Sequence, residues 1–444
     1  MTRILITGIN YAPEKTGIAP YTTKVAEHLA RQGYQVTAIT GMPHYPAWRV
    51  PAPYADAFAL REYRDGVELH RRWHYVPAPG RHSAWRRGLY EASFLATGLS
   101  ALALPRPHAV IGIVPGLSGG LLARAAARRF GVSYGLVFQD LMGRAAEQSG
   151  MAGANVAGMT RLVESWAVRR AAAVGIVAEG FRPYVESLGV ESTRIRRVRN
   201  WAHVGEATVE RAAMREWLGL PQDAMVCMHA GNMGQKQGLE NVIACARLAT
   251  TAAPQIVFVF VGDGNQRASL EAMVARDGLT NVRFLPLQPD QIFPSVLAAA
   301  DVLLINQRAS VGDMALPSKL TSYFAAGRPV VAAAARGSET AREVGWSSGG
   351  LVVRPDDPPA LLEALLRLAD DAGLRTHLVE SALTWAADVL SEDAALRSYE
   401  QLVAAVLASA PRGRIHSEER RVRERTLRAD EPEGTEARDD RWAA

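Results

Sequence analysis

Of the 50 basic residues in this 444-residue chain, only Lys15, Lys24, Lys236 and Lys319 are lysines. A chain so rich in arginine keeps a lysine where a compact ammonium serves better than a planar guanidinium. Lys236 lies in VCMHAGNMGQKQGLENVI, residues 226–243, which reads as a strand, a glycine-rich loop and a helix beginning near Leu239. Gly231, Gly234 and Gly238 let the backbone approach a ligand closely, and the helix start offers unpaired N–H groups with partial positive charge. A diphosphate needs such a cradle and one mobile cation; a glycine-rich turn with an exposed lysine is the plainer alternative. The spacing is neither a dinucleotide fingerprint nor a Walker loop, which counts against NAD and ATP. Lys319 lies in GDMALPSKLTSYFAAGRPVVA, residues 312–332, where Pro317-Ser318 suits a helix entry and Gly327 a stop. The lysine then stands in the first turn, where the helix dipole favours an acid, so it is unfavourable unless it meets an anion. Lys236 and Lys319 are therefore candidate catalytic cations for one pocket gripping two linked phosphoryl groups.

Other segments end strands on what would be the same cleft edge. FVGDG carries Gly262 and Gly264, and FLPL carries Pro286 and Leu287, where a nucleoside could lie; ordinary strand-end turns are the alternative. In the first half, NYAPEKTG places Tyr11, Glu14, Thr16 and Gly17 between a strand and a helix. His44, Tyr45 and Trp48 follow the next strand, and with Tyr11 and Glu14 they are candidate acceptor contacts. A surface pair of Glu14 with Lys15 is the competing reading. Asp140 closes a further strand, as a cleft carboxylate or as a helix N-cap. Residues 82–104, with Trp85, Arg86, Arg87, Tyr90, Phe94 and Leu95, suit either an interfacial helix at an anionic membrane or a core helix with a basic start.

These residues need a frame. Strand-like runs at 3–9, 35–40, 68–74, 110–114, 134–139, 173–178 and 194–198 alternate with helical patterns such as 21–32 and 120–130. A second series follows at 225–230, 256–261, 282–285, 302–305, 330–334 and 351–353. Alternation of this kind predicts parallel sheets covered on both faces, an α/β fold of two tandem Rossmann-like domains facing a cleft. The expected boundaries are 1–204, 205–393, a closing helix at 394–410, and a charge-dense, disordered tail at 411–444.

Composition narrows the field. A hydrophobic content of 48% with 21% charged residues belongs to a globular protein, and two cysteines cannot build a disulfide framework. The formal charge of +5 does not require nucleic acid, and no RNA-binding or zinc-finger spacing occurs. No signal peptide or membrane-spanning run is evident, so a cytoplasmic protein is expected, with the inner face of the plasma membrane as a place of contact.

GINYAPEKTGIAPYTTKVAEHLARQGYQVTAITGMPHYP, GNMGQKQGLE, VGDG and LPSKLTSYFAAGRPVV, taken together, resemble glycosyltransferase family 4 in its exopolysaccharide, colanic-acid biosynthesis branch. The resemblance runs over residues 1–405. It implies the two-domain GT-B fold and transfer of sugar, with retention, from a nucleoside diphosphate sugar to a glycan or polyprenyl-linked acceptor. It implies no cofactor beyond that co-substrate and no metal, and the chain has no D-x-D pair. Carried over, Gly17 approaches the donor phosphate across the cleft; Thr16, Gly231, Asn232, Gly234, Gly262, Gly264, Pro286, Leu287, Pro317 and Ser318 are the candidate donor contacts that the residues themselves suggest. Lys236 stands one residue before the family's diphosphate lysine, at whose place is Gln237, and Asn232 replaces a basic residue. The family's Glu-x7-Glu element is absent: Met314 and Ser322 occupy its places, with Asp313 beside the first. A nucleotide-sugar epimerase or an inactive sugar-nucleotide-binding protein of the same shape are the rival readings.

Overall fold

The computed structural model describes residues 1–78, 83–114, 117–141, 154–201, 205–310 and 318–409. The tail at 411–444, with Asp313, Met314 and Pro317, lies outside them. Strands β1 (Arg3–Thr7), β2 (Gln35–Gly41), β3 (Ala59–Arg64), β4 (Val67–Arg72), β5 (Ala109–Val114), β6 (Ser133–Phe138), β7 (Ala173–Ile176) and β8 (Ile195–Arg197) form one sheet, in the order β3-β4-β2-β1-β5-β6-β7-β8. Strands β9 (Met225–Ala230), β10 (Ile256–Val261), β11 (Val282–Leu285), β12 (Val302–Asn306), β13 (Val330–Ala333) and β14 (Gly350–Val353) form a second, in the order β11-β10-β9-β12-β13-β14. Every pairing is parallel except β3 with β4. Central strands such as AVIGIV of β5 are buried along their whole length, as a sheet covered on both faces requires.

Strand order reverses between β1 and β5 in the first sheet and between β9 and β12 in the second. Crevices open beyond the carboxyl ends of strands at such points, and the loops bearing Gly17 and Gly231 leave there. Sequence reading missed β3, because ALREYR is polar on both sides and half of an exposed edge hairpin. Its turn, Asp65-Gly66, has positive φ at both residues (47° and 84°), the pairing that a tight hairpin needs.

The helix Glu392–Ala408 crosses back onto the first sheet, where Leu396, Tyr399, Leu402, Val403 and Val406 join its core. Two glycines make room for it. A Cβ at Gly135 would lie 2.7 Å from Val406 Cγ2, and one at Gly175 3.3 Å from Leu402 Cδ2. Tyr399 Oη accepts from Gln139 Nε2 at 2.8 Å, and His28 Nε2 sits 2.6 Å from Glu400.

Candidate active site

The second domain builds its site from three strand ends and one helix. Gly231, after β9, has φ of 120°, and a Cβ there would stand 2.8 Å from Lys319 Cε. Gly262 (φ 131°), after β10, could carry no side chain without striking the Gly231 carbonyl. A Cβ on Gly264 (φ 156°) would come 2.7 Å from Asn232 Oδ1. The two loops are thus packed backbone to backbone, and glycine is what permits it. Lys319 is the second residue of the helix Ser318–Ala325, so it does stand in the first turn. One turn on, the Tyr323 hydroxyl accepts from Ala230 N at 2.8 Å and donates to Ala230 O at 3.1 Å, tying helix to strand.

Lys319 Nζ lies 2.9 Å from Nε2 of His229, a residue the sequence reading passed over. No carboxylate pairs with this lysine among the described residues. Burial lowers its pKa from 10.5 to about 7, and burial with the lysine charge lowers that of His229 to about 3. The corner holds a costly, poorly compensated cation, which an arriving phosphate oxygen would satisfy.

Lys236 is of another kind, exposed on the turn Gln235–Gln237. Asn306 and Arg308, at the end of β12, hold that turn and were also missed. Asn306 Nδ2 donates to Gln237 O (2.7 Å) and Gly238 O (2.8 Å), Arg308 Nε to Gln235 O (2.7 Å), and Arg308 Nη2 to Glu240 (2.8 Å). Gly234 N is bonded to Gln237 Oε1 at 3.1 Å, so that donor is engaged within the loop. Asn232, Pro286 and Leu287 are exposed, the last at 71%, beside the stacked rings of Phe260 and Phe284. Ser322 is half-buried on the Lys319 helix. Ser318 opens that helix, and Asp313 and Pro317 lie outside the described residues.

In the first domain the loops after β1 and β2 meet: a Cβ at Gly17 (φ 69°) would lie 3.1 Å from the Tyr45 ring. Glu14 joins them from beneath, accepting from His44 N (2.8 Å), Tyr45 N (2.9 Å) and Asn10 Nδ2 (2.9 Å). Three expectations are thereby corrected. Glu14 is buried and neither pairs with Lys15 nor lies open to an acceptor, because its carboxylate satisfies two loop amides. His44, 3% exposed, bonds Tyr90 Oη through Nε2 and Met42 O through Nδ1. Tyr11 is 1% exposed in the core, its hydroxyl pKa raised by burial. All three support the loops. Thr16, Gly17 and Tyr45 remain exposed and Trp48 half so, its ring against His44, Tyr45 and Tyr90. Asp140 is exposed and accepts from Leu141 N at 2.7 Å; a helix it could cap would fall at residues that are not described.

The helix Ala84–Ser100 has a core face and an outward face. Tyr90 and Phe94 are core, while Trp85 (63%), Leu89 (41%) and Leu99 (44%) face outward. Beyond the helix Leu117–Phe130, which packs beside it, opens a groove of about 900 Å³ lined by Leu121, Met159, Leu162 and Trp166 and rimmed by Arg124, Arg169 and Arg170. No described helix is long and apolar enough to cross a membrane.

A buried ion network joins the domains. Glu339 accepts from the backbone of Glu179 and Gly180, both at 3.0 Å, and from Arg197 Nη2 at 3.0 Å. Glu343 binds Arg197 and Arg199, each at 2.7 Å, and Trp385 Nε1 at 2.9 Å.

Residues 16–201 match a family model described as a glycosyl transferase 4-like domain, and residues 224–371 match glycosyl transferases group 1. The chain is 32% identical over 378 residues to the putative colanic acid biosynthesis glycosyl transferase WcaI of Escherichia coli, covering 82% of this chain and 91% of the relative. It is 30% identical to the 2-deoxystreptamine glucosyltransferase of Streptomyces kanamyceticus over 51% of this chain and 58% of that one. Its fold is similar to that of sucrose-phosphate synthase from Thermosynechococcus elongatus, with TM-score 0.66, 17% identity, and coverage of 92% and 100%. Anabaena Alr3699/HepE, solved in complex with UDP, gives TM-score 0.62, 13% identity, and coverage of 91% and 100%.

Proposed function

This chain belongs to the GT-B glycosyltransferases of family 4, in the colanic-acid biosynthesis branch, and on that premise we propose that it moves a hexosyl or deoxyhexosyl group from a nucleoside diphosphate sugar to a glycan or polyprenyl-linked acceptor in polysaccharide synthesis. The observation that carries the donor reading is the buried ammonium of Lys319 beneath the joined loops after β9 and β10. In the proposed reaction the bond from the anomeric carbon to the diphosphate oxygen breaks while the acceptor hydroxyl oxygen bonds the same carbon from the same face, with retention. The acceptor proton passes to the leaving diphosphate, which acts as base. Lys319 and the exposed Lys236 stabilise the charge that grows there, and the protein otherwise positions the two substrates. No metal is needed for this scheme.

UDP is the first nucleotide to try, since HepE was solved with it. Lys319→Ala should weaken nucleoside diphosphate binding and lower kcat/KM by about ten- to a hundredfold, the loss of one charge-assisted hydrogen bond. Calorimetric titration and initial rates on the folded variant check this. Wild-type values would remove Lys319 from the site, and donor isomerised without any acceptor would favour an epimerase. The acceptor side of the proposal includes a cytoplasmic protein resting on the inner face of the plasma membrane, supported by the outward Trp85, Leu89, Leu162 and Trp166 and the arginines around them.

A further inference from the structure

Strand β9 alternates its side chains between two cores, Cys227 joining one and Met228 and Ala230 the other. His229 shares the Cys227 side, 1% exposed, with its ring centroid 6.3 Å from that of Phe260. An imidazole there buries two polar nitrogens where leucine would bury none, a cost that calls for a use. One use is visible: Nε2 lies 2.9 Å from Lys319 Nζ. The Asn232 carbonyl lies 3.3 Å from the same Nε2, farther than Lys319 Nζ, the Leu304 carbonyl also faces the ring, and Nδ1 is enclosed without a well-formed hydrogen bond. In its protonated form Lys319 can only donate, and in that state Nε2 offers its lone pair and Nδ1 carries the proton. Held near a pKa of about 3, the ring stays a neutral acceptor at any working pH.

We propose that His229 is a positioning residue for the donor site: it accepts one hydrogen bond from the Lys319 ammonium, holds it against Gly231, and leaves the other two N–H groups for a diphosphate oxygen. The inference rests on the donor reading of Lys319. The acceptor also favours the charged form of the lysine, which is the form that binds. Among the described residues, titratable and charged groups on the elements around this corner include Cys227 on β9, Lys236 and Asp263 on the loops, Tyr323 on the helix, Arg267, whose Nη1 donates to Gly262 O at 2.6 Å, and the pair of Arg308 with Glu240 at the Lys236 turn.

The test compares full-length His229→Leu and His229→Asn, which lose an acceptor at that reach, with His229→Gln, which keeps one. Donor KM and kcat are followed from pH 6 to 9, with thermal melts to confirm folding. His229→Leu should raise donor KM about tenfold with little change in kcat. The basic limb of the KM profile, where Lys319 loses its proton, should move to lower pH, and Gln should restore both. Should Leu fail to fold, Asn against Gln decides in the same way. Equal behaviour of Gln and the acceptor-free variant, or a limb that does not move, overturns the proposal. Lys319→Ala runs alongside: intact donor binding there overturns the donor reading itself, whereas lost binding with a wild-type His229→Leu overturns the role of His229 alone.

Discussion

An ammonium taken out of water beside a neutral ring lowers the stability of the protein that holds it until an anion arrives. Lys319, with its pKa near 7, is such a group, and Lys319→Met should keep the packing of its stem while removing the charge. In the donor-free protein this substitution should stabilise by roughly 2 kcal/mol or more near neutrality, while weakening donor binding about ten- to a hundredfold, as expected for Lys319→Ala. The sign can be followed with pH. The unfolded lysine holds its proton up to about 10.5 and the folded one only to about 7, so the advantage of Met is full below pH 7 and fades as pH rises to 10.5. Melting temperatures of both proteins across that range check it, and a difference independent of pH would remove the buried charge as the cause. Lys319 was legible in the sequence because a lysine at a helix start in an arginine-rich chain is locally out of place. His229 was not, because VCMHAG reads as ordinary core strand and its partner lies 90 residues away. Glu14 was misread, since adjacency to Lys15 suggests a surface pair and nothing in the sequence shows which loop amides reach its carboxylate.

At the scale of elements, close approach of two loops rests on backbone with no side chains between. Gly262→Ala places a methyl group against the Gly231 carbonyl at a φ of 131° that alanine rarely adopts. The substitution should cost roughly 2 kcal/mol or more and weaken nucleoside diphosphate binding at least tenfold by spreading the loops after β9 and β10. Thermal melts and titration measure both effects; wild-type affinity would mean that the loop contact does not shape the site. Glycine spacing at strand ends made this part of the site readable in outline, as apolar runs did the strands. Asn306 and Arg308 escaped because their work, bonding to the carbonyls of another loop, leaves no periodic trace in sequence.

At the scale of the molecule, each half supplies a loop at its own switch point, and Glu339 and Glu343 tie the halves together. The order of motifs announced two domains, but contacts spanning 140 to 160 residues cannot be inferred from local pattern. Helices of the first domain also turn apolar side chains outward near arginines, which suits an anionic leaflet. The full-length protein should sediment with vesicles rich in phosphatidylglycerol, less with pure phosphatidylcholine, and weakly after Trp85→Ser with Trp166→Ser. Equal recovery of both proteins in the supernatant would exclude those side chains as the point of contact.

The helix Glu392–Ala408 seats Val406 and Leu402 over the glycine notches of the first sheet. During synthesis that sheet leaves the ribosome almost two hundred residues before the segment that covers it. Its exposed floor must therefore be tolerated, or shielded by a chaperone, while the second half is translated. A gene fragment ending between the two sheets would encode a first half lacking part of its own interior.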